Sequence, residues 1–117
     1  KLYVEIKNNH EHEVIWLLYL LKNMNCPIAE KTIEDIIEKN FELAQVLLLH
    51  EYRNQMNQQK RMQCFTNAKS WILLYELALI DNRREEFFAK TGVSKNQNFY
   101  NKLFDENYSF YKETEIG

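Results

Sequence analysis

Two apolar blocks constrain this chain more than any other feature. Val14 to Leu21 is eight apolar residues without a break, and Trp71 to Ile80 is interrupted only by Glu76. A surface helix alternates greasy and polar arcs, so a segment apolar on every side reads as a helix surrounded by others. Each block contains Leu-Leu-Tyr-x-Leu, at 17–21 and 73–77. Their offset of 56 residues exceeds the roughly 34–47 of helical solenoid repeats. The flanking residues do not align either, so the two read as separately buried helices at the centre of a helical body.

Composition supports that reading. Two Gly and one Pro among 117 residues are too few for the tight turns of an all-β chain. An apolar share of 45% suffices for one core. The expected fold is all-α, with five to six helices in an irregular bundle or a short HEAT-like helical solenoid. The domain plan is an extended lead segment at 1–8, a single helical domain at 9–112 and a frayed tail at 113–117.

Along the chain, Asn8 or Asn9 caps a first helix that ends before Cys26-Pro27, since the residue preceding proline avoids helical dihedrals. A second helix over 29–39 carries Ile33, Ile36 and Ile37 on one stripe, and a third over 41–53 carries Leu43 to Leu49. Residues 54–59 form the most polar stretch and read as a loop, with a helical lead-in over 60–66 before the long fourth helix. A fifth helix over 83–91 buries Phe87 and Phe88, stopped by Gly92. Ser94-x-x-Gln97 is a capping box for a sixth, with Phe99, Tyr100, Leu103 and Phe104 inward.

Candidate chemistry is sparse. His10 and His12 point to different sides of a helix and cannot share a metal as an i, i+4 pair would. His50 is placed where a cation meets a helix C-terminus. Cys26 and Cys64 fit no metal or redox spacing and read as free thiols of a reducing cytoplasm. Glu76 is expected at the rim of the core. There is no nucleophile elbow or glycine-rich phosphate loop. All three histidines precede every arginine, which excludes the Arg-to-His motif typical of helical HEPN-type ribonucleases. No catalytic residue, metal or cofactor is assigned.

A net charge of −2 gives no overall field for nucleic acid, so any polyanion contact must be local. The one local candidate is 53–69, where Arg53, Lys60, Arg61 and Lys69 occur with no Asp or Glu among them. Such an amide-rich cationic segment can track a phosphate backbone. An apolar run of eight residues is far short of the ~20 needed to span a bilayer, so no membrane partner is expected. The chain opens at Lys1 without an initiator Met and reads as an excised piece of a longer polypeptide.

The order of features resembles the helical C-terminal extension of bacterial reverse transcriptases, including retron and other phage-defence types. The residues that carry the likeness are His12-Glu13-Val14-Ile15-Trp16, Ile33 to Ile37, Leu43 to Leu49, Trp71-Ile72-Leu73-Leu74-Tyr75-Glu76 and Tyr108-Ser109-Phe110-Tyr111. The polymerase's Tyr-x-Asp-Asp metal box is absent from this piece. The resemblance therefore implies a non-catalytic accessory domain, whose partners would be RNA or an RNA/DNA template–primer and an upstream polymerase domain of the same chain. The alternative is a protein-interaction or self-assembly module, with a second copy as partner and no nucleic-acid role.

Overall fold

Asparagine takes the place that glycine holds at the helix ends of most proteins. Asn9, Asn25, Asn40, Asn82 and Asn107 all adopt φ between 52° and 62°, the left-handed conformation that asparagine tolerates better than other residues with a side chain. They punctuate a computed structural model that describes residues 1–91 and 96–114, with eight α-helices and no strand among them. The helices are α1 (Leu2–Lys7), α2 (Glu11–Asn23), α3 (Glu30–Glu38), α4 (Glu42–Glu51), α5 (Gln58–Asn67), α6 (Lys69–Asp81), α7 (Arg84–Thr91) and α8 (Gln97–Glu106). Short 3-10 turns occupy Arg53–Gln55 and Tyr111–Thr114. The predicted Gly92 stop and the Ser94 capping residue lie outside the described residues.

The count exceeds the expected five or six because α1 is an additional helix and the helical lead-in expected at 60–66 is a separate full helix, α5. The segment at 1–8 is helical, not extended. Its alternating Leu2, Val4 and Ile6 also satisfy a helix, because Leu2 and Ile6 are four apart and share the inward face. Ile6 is buried and Leu2 lies against the core, while Tyr3 and Val4 remain exposed. The residues read as a polar loop contain only a brief 3-10 turn before α5 begins. There Asn57 Oδ1 accepts the Lys60 backbone N–H at 2.8 Å, the side-chain cap that starts the helix.

The centre is α4, not the two long apolar blocks. Leu43 through Leu49 and Glu51 are all buried in α4, whereas α2 buries only Val14, Ile15 and Leu18, and α6 only Ile72, Tyr75 and Ala78. Trp16 and Leu74, expected in the interior, are half-buried. The shared Leu-Leu-Tyr-x-Leu pattern is not a structural repeat: α2 buries its second leucine (Leu18) and leaves Tyr19 half-covered, while α6 buries its tyrosine (Tyr75) and leaves Leu74 half-covered.

Helices α2, α3, α5 and α6 all touch α4, and their polar atoms are tied in. Buried Gln45 donates to Asn40 Oδ1 and accepts from Asn67 Nδ2. The Tyr52 hydroxyl donates to the Leu18 carbonyl at 2.7 Å. The first free N–H groups of α4, on Leu43 and Ala44, donate to Glu11 Oε2 at 3.0 and 3.3 Å. A carboxylate from α2 thereby caps α4 across the fold, satisfying donors that its own N-cap, Phe41, cannot serve. Burial raises the Glu11 carboxyl pKa above its ordinary value, with those two hydrogen bonds opposing the rise.

Beyond α4, an aromatic cluster fills the second half of the core. Tyr75 meets Phe87, Phe104 and Phe110 at ring-centroid distances of 6.2, 4.9 and 5.6 Å, tilted or edge-on as aromatic quadrupoles prefer. Its hydroxyl donates to the carbonyls of Leu103 and Tyr108, each at 2.8 Å. The C-terminal segment is held accordingly: Phe110 is fully buried and Glu113 is 4% exposed. Fraying from 113 is thus corrected for Glu113 and Thr114, because a buried carboxylate anchors the last turn. Residues 115–117 lie outside the described residues.

Candidate functional site

The four cations predicted as a nucleic-acid surface lie on α5 and its flanks, but most are already engaged. Arg53, in the 3-10 turn after α4, forms an ion pair with Glu113. Arg61, on the first turn of α5, places Nε 3.2 Å from the same carboxylate and donates through Nη1 to the Met56 carbonyl at 2.6 Å. Lys60 reaches α3, with Nζ 2.7 Å from Glu30 and 3.3 Å from Glu34. That hydrogen bond draws the Glu30 carboxyl below its ordinary range and raises the Lys60 ammonium. Lys69, the first residue of α6, is exposed and has no ion-pair partner among the described residues.

The charge imbalance along 53–69 is therefore closed by acids remote in sequence. Glu30 and Glu34 come from α3, and Glu113 comes from the C-terminal turn. A polyanion would have to compete with these carboxylates at three of the four positions. Lys69 needs no such exchange.

A second ionic cluster went unpredicted. His50 Nε2 is 2.9 Å from Glu106, and its Nδ1 is 3.3 Å from Glu51. Lys102 Nζ is 2.9 Å from Glu51. The imidazole also stacks edge-on against Tyr108 at 4.4 Å. Burial would raise the Glu51 carboxyl, but His50 and Lys102 outweigh it and hold its pKa at about 2. This cluster ties α4 to α8. The only sequence signal for it was a His-Glu pair at the end of a leucine-rich helix.

The other residues singled out in the sequence fall into structural roles. His10 Nδ1 sits 2.7 Å from Glu5. Cys64 is buried and free, its thiol pushed up to about 12 by burial, and Cys26 is half-buried and free. Glu76 is half-buried at the rim and accepts from the Phe110 backbone N–H at 3.4 Å. Among the described residues no group of three or more His, Cys, Asp or Glu converges as a metal site. No helix among them is long and apolar enough to cross a membrane.

One surface stands out against this background. Leu73, Leu77 and Ile80 of α6 are 48%, 50% and 76% exposed. Their spacing of four and three residues places them on one stripe. It was hidden in the sequence because the buried face of α6 is apolar too, so the block showed no period.

No family model, curated protein or solved structure matches this chain.

Proposed function

We propose that this chain is a non-catalytic helical accessory domain of a reverse-transcriptase-like protein, acting through surface contacts with RNA or a template–primer. The observation that supports it most is the interlocking of the residues that carry the resemblance. Tyr75 donates to the Tyr108 carbonyl, and the Phe110 N–H donates to Glu76. These bonds join the Trp71–Glu76 motif to the 108–111 motif. Near the first motif, Asn96 donates to the His12 carbonyl. Segments far apart in sequence are thus parts of one packed unit, as a shared domain requires and a scatter of chance leucines does not.

Contact with a phosphate backbone would fall on Lys69, and on Lys60 once it exchanges Glu30 and Glu34 for phosphate. Arg53 and Arg61 would contribute only on release from Glu113. The test is a fluorescence titration of a labelled RNA/DNA primer–template with the 117-residue chain, repeated over a range of low salt concentrations. Binding should weaken with salt, and Lys60→Ala with Lys69→Ala should reduce the log–log slope by about two contacts' worth. Absence of binding at low salt, or a slope unchanged by the double substitution, would refute the nucleic-acid role.

The exposed stripe on α6 favours a second reading, a protein-interaction or self-assembly module. Its signature is a mass that rises with concentration and ignores nucleic acid.

A further inference from the structure

We propose that the 3-10 turn Tyr111–Thr114 is an autoinhibitory latch: its Glu113 fills a two-arginine oxyanion site, which opens when a phosphate of a bound polynucleotide takes the carboxylate's place. This rests on the nucleic-acid reading above and adds how that surface is regulated.

The site is assembled from two elements and closed by a third. Arg53 comes from the 3-10 turn after α4 and Arg61 from α5, and each pairs with a different oxygen of Glu113. Two guanidinium groups face one carboxylate, so a positive charge is left over. Both arginine side chains are partly exposed, whereas that of Glu113 is 2% exposed. The carboxylate is thus the plug, and the arginines are the rim that an arriving anion meets first. The plug fits incompletely: Arg61 Nε is buried and makes no aligned hydrogen bond. A carboxylate presents its acceptors in one plane. A tetrahedral phosphate spreads its oxygens in three dimensions and can offer one to each guanidinium.

The turn can leave without unravelling the core. Upstream of it the chain is fixed: the Tyr108 N–H donates to the Leu103 carbonyl at 3.1 Å, and the Tyr108 carbonyl accepts the Tyr75 hydroxyl. Phe110 is fully buried, and its N–H donates to Glu76. Downstream, the remaining tethers lie near the surface. Tyr111 is 40% exposed and meets Phe65 edge-on at 5.8 Å, and the Lys112 ammonium stands 3.9 Å from the Tyr108 ring centroid. The hinge therefore falls between Phe110 and Tyr111. Opening there breaks one backbone bond, from the Glu113 N–H to the Phe110 carbonyl at 3.0 Å.

The latch also selects its ligand. Glu113 competes from within the chain, at an effective concentration on the order of millimolar or above. A lone phosphate meets that competition unaided. A polynucleotide already held at exposed Lys69 brings its further phosphates at a comparable local concentration.

Heteronuclear NMR of the whole 14.2 kDa chain, isotope-labelled and titrated with the RNA/DNA primer–template at low salt, tests this. The Nε–H signals of Arg53 and Arg61 should shift together with the backbone amides of 111–114, while those of Tyr108 and Phe110 hold still. Tyr111→Ala loosens the latch without removing a cation, and should tighten binding roughly two- to ten-fold. Binding that leaves 111–114 unmoved would overturn the latch and spare the nucleic-acid reading. So would binding that Tyr111→Ala weakens or leaves unchanged. Absence of binding by both the parent and Tyr111→Ala removes the reading and the latch together.

Discussion

Replacing Glu113 by glutamine should loosen the C-terminal turn and free two arginines at once. The carboxylate is 2% exposed at its side chain and faces Arg53 and Arg61, whose side chains keep 33% and 23% of their surface. Glutamine preserves the shape but removes the charge, leaving both guanidinium groups without a counter-ion. Breaking a fully buried pair costs about 3–5 kcal/mol. Partial solvent access to the arginines screens that loss, so about 2 kcal/mol is expected. For a chain of this size that lowers Tm by roughly 6–12 °C. Thermal melts read by circular dichroism, beside Arg53→Gln and Arg61→Gln in a double-mutant cycle, would measure the pairwise coupling. The same substitution should tighten primer–template binding and steepen its salt dependence, since up to two cations become available to phosphates. A melt within about 1 °C of the parent, with no change in RNA affinity, would refute the claim that Glu113 clamps the basic segment.

Three further outcomes follow from the interior. The Glu51 carboxyl is held at about 2 against an ordinary 4.5, so its folded state favours the ionised form. Its contribution is complete above pH ~4.5 and is lost as pH falls toward 2, at most ~3 kcal/mol; urea midpoints across that window should fall, and Glu51→Gln should flatten the slope. Tyr75→Phe deletes the donor to two carbonyls and should cost about 1–3 kcal/mol by urea denaturation, an unchanged midpoint showing that the hydroxyl does not anchor the tail. Asn107 holds φ 52°, so Asn107→Ala should destabilise by about 1 kcal/mol while Asn107→Gly should not; equal losses for both would rule out the backbone as the cause.

Much of the helical layout was legible because its signals are local. Pro27 marks the end of α2, the Ile33, Ile36 and Ile37 stripe marks α3, and Phe99 to Phe104 marks α8. What sits at the centre was not legible, because apolarity shows that a helix seeks cover and not which neighbour supplies it. The continuous blocks of α2 and α6 outranked the shorter α4, yet α4 is the helix that four others surround. Its Gln45, His50 and Glu51 are polar, yet each is met by a polar group from a distant element. The basic stretch failed in the same way: 53–69 contains no acid, and its counter-ions lie at 30, 34 and 113. The left-handed asparagines were readable in principle, since each falls at or just after a helix end in a chain nearly without glycine.

A ten-residue helix covered on all sides has a consequence for how this polypeptide can be taken apart. Alone, α4 is too short to persist in water, and each element that shelters it comes from a different stretch on either flank. No cut within the described residues yields two self-sufficient pieces. Amide exchange should therefore be slowest along 43–49 and should vanish there all at once, when the whole assembly opens.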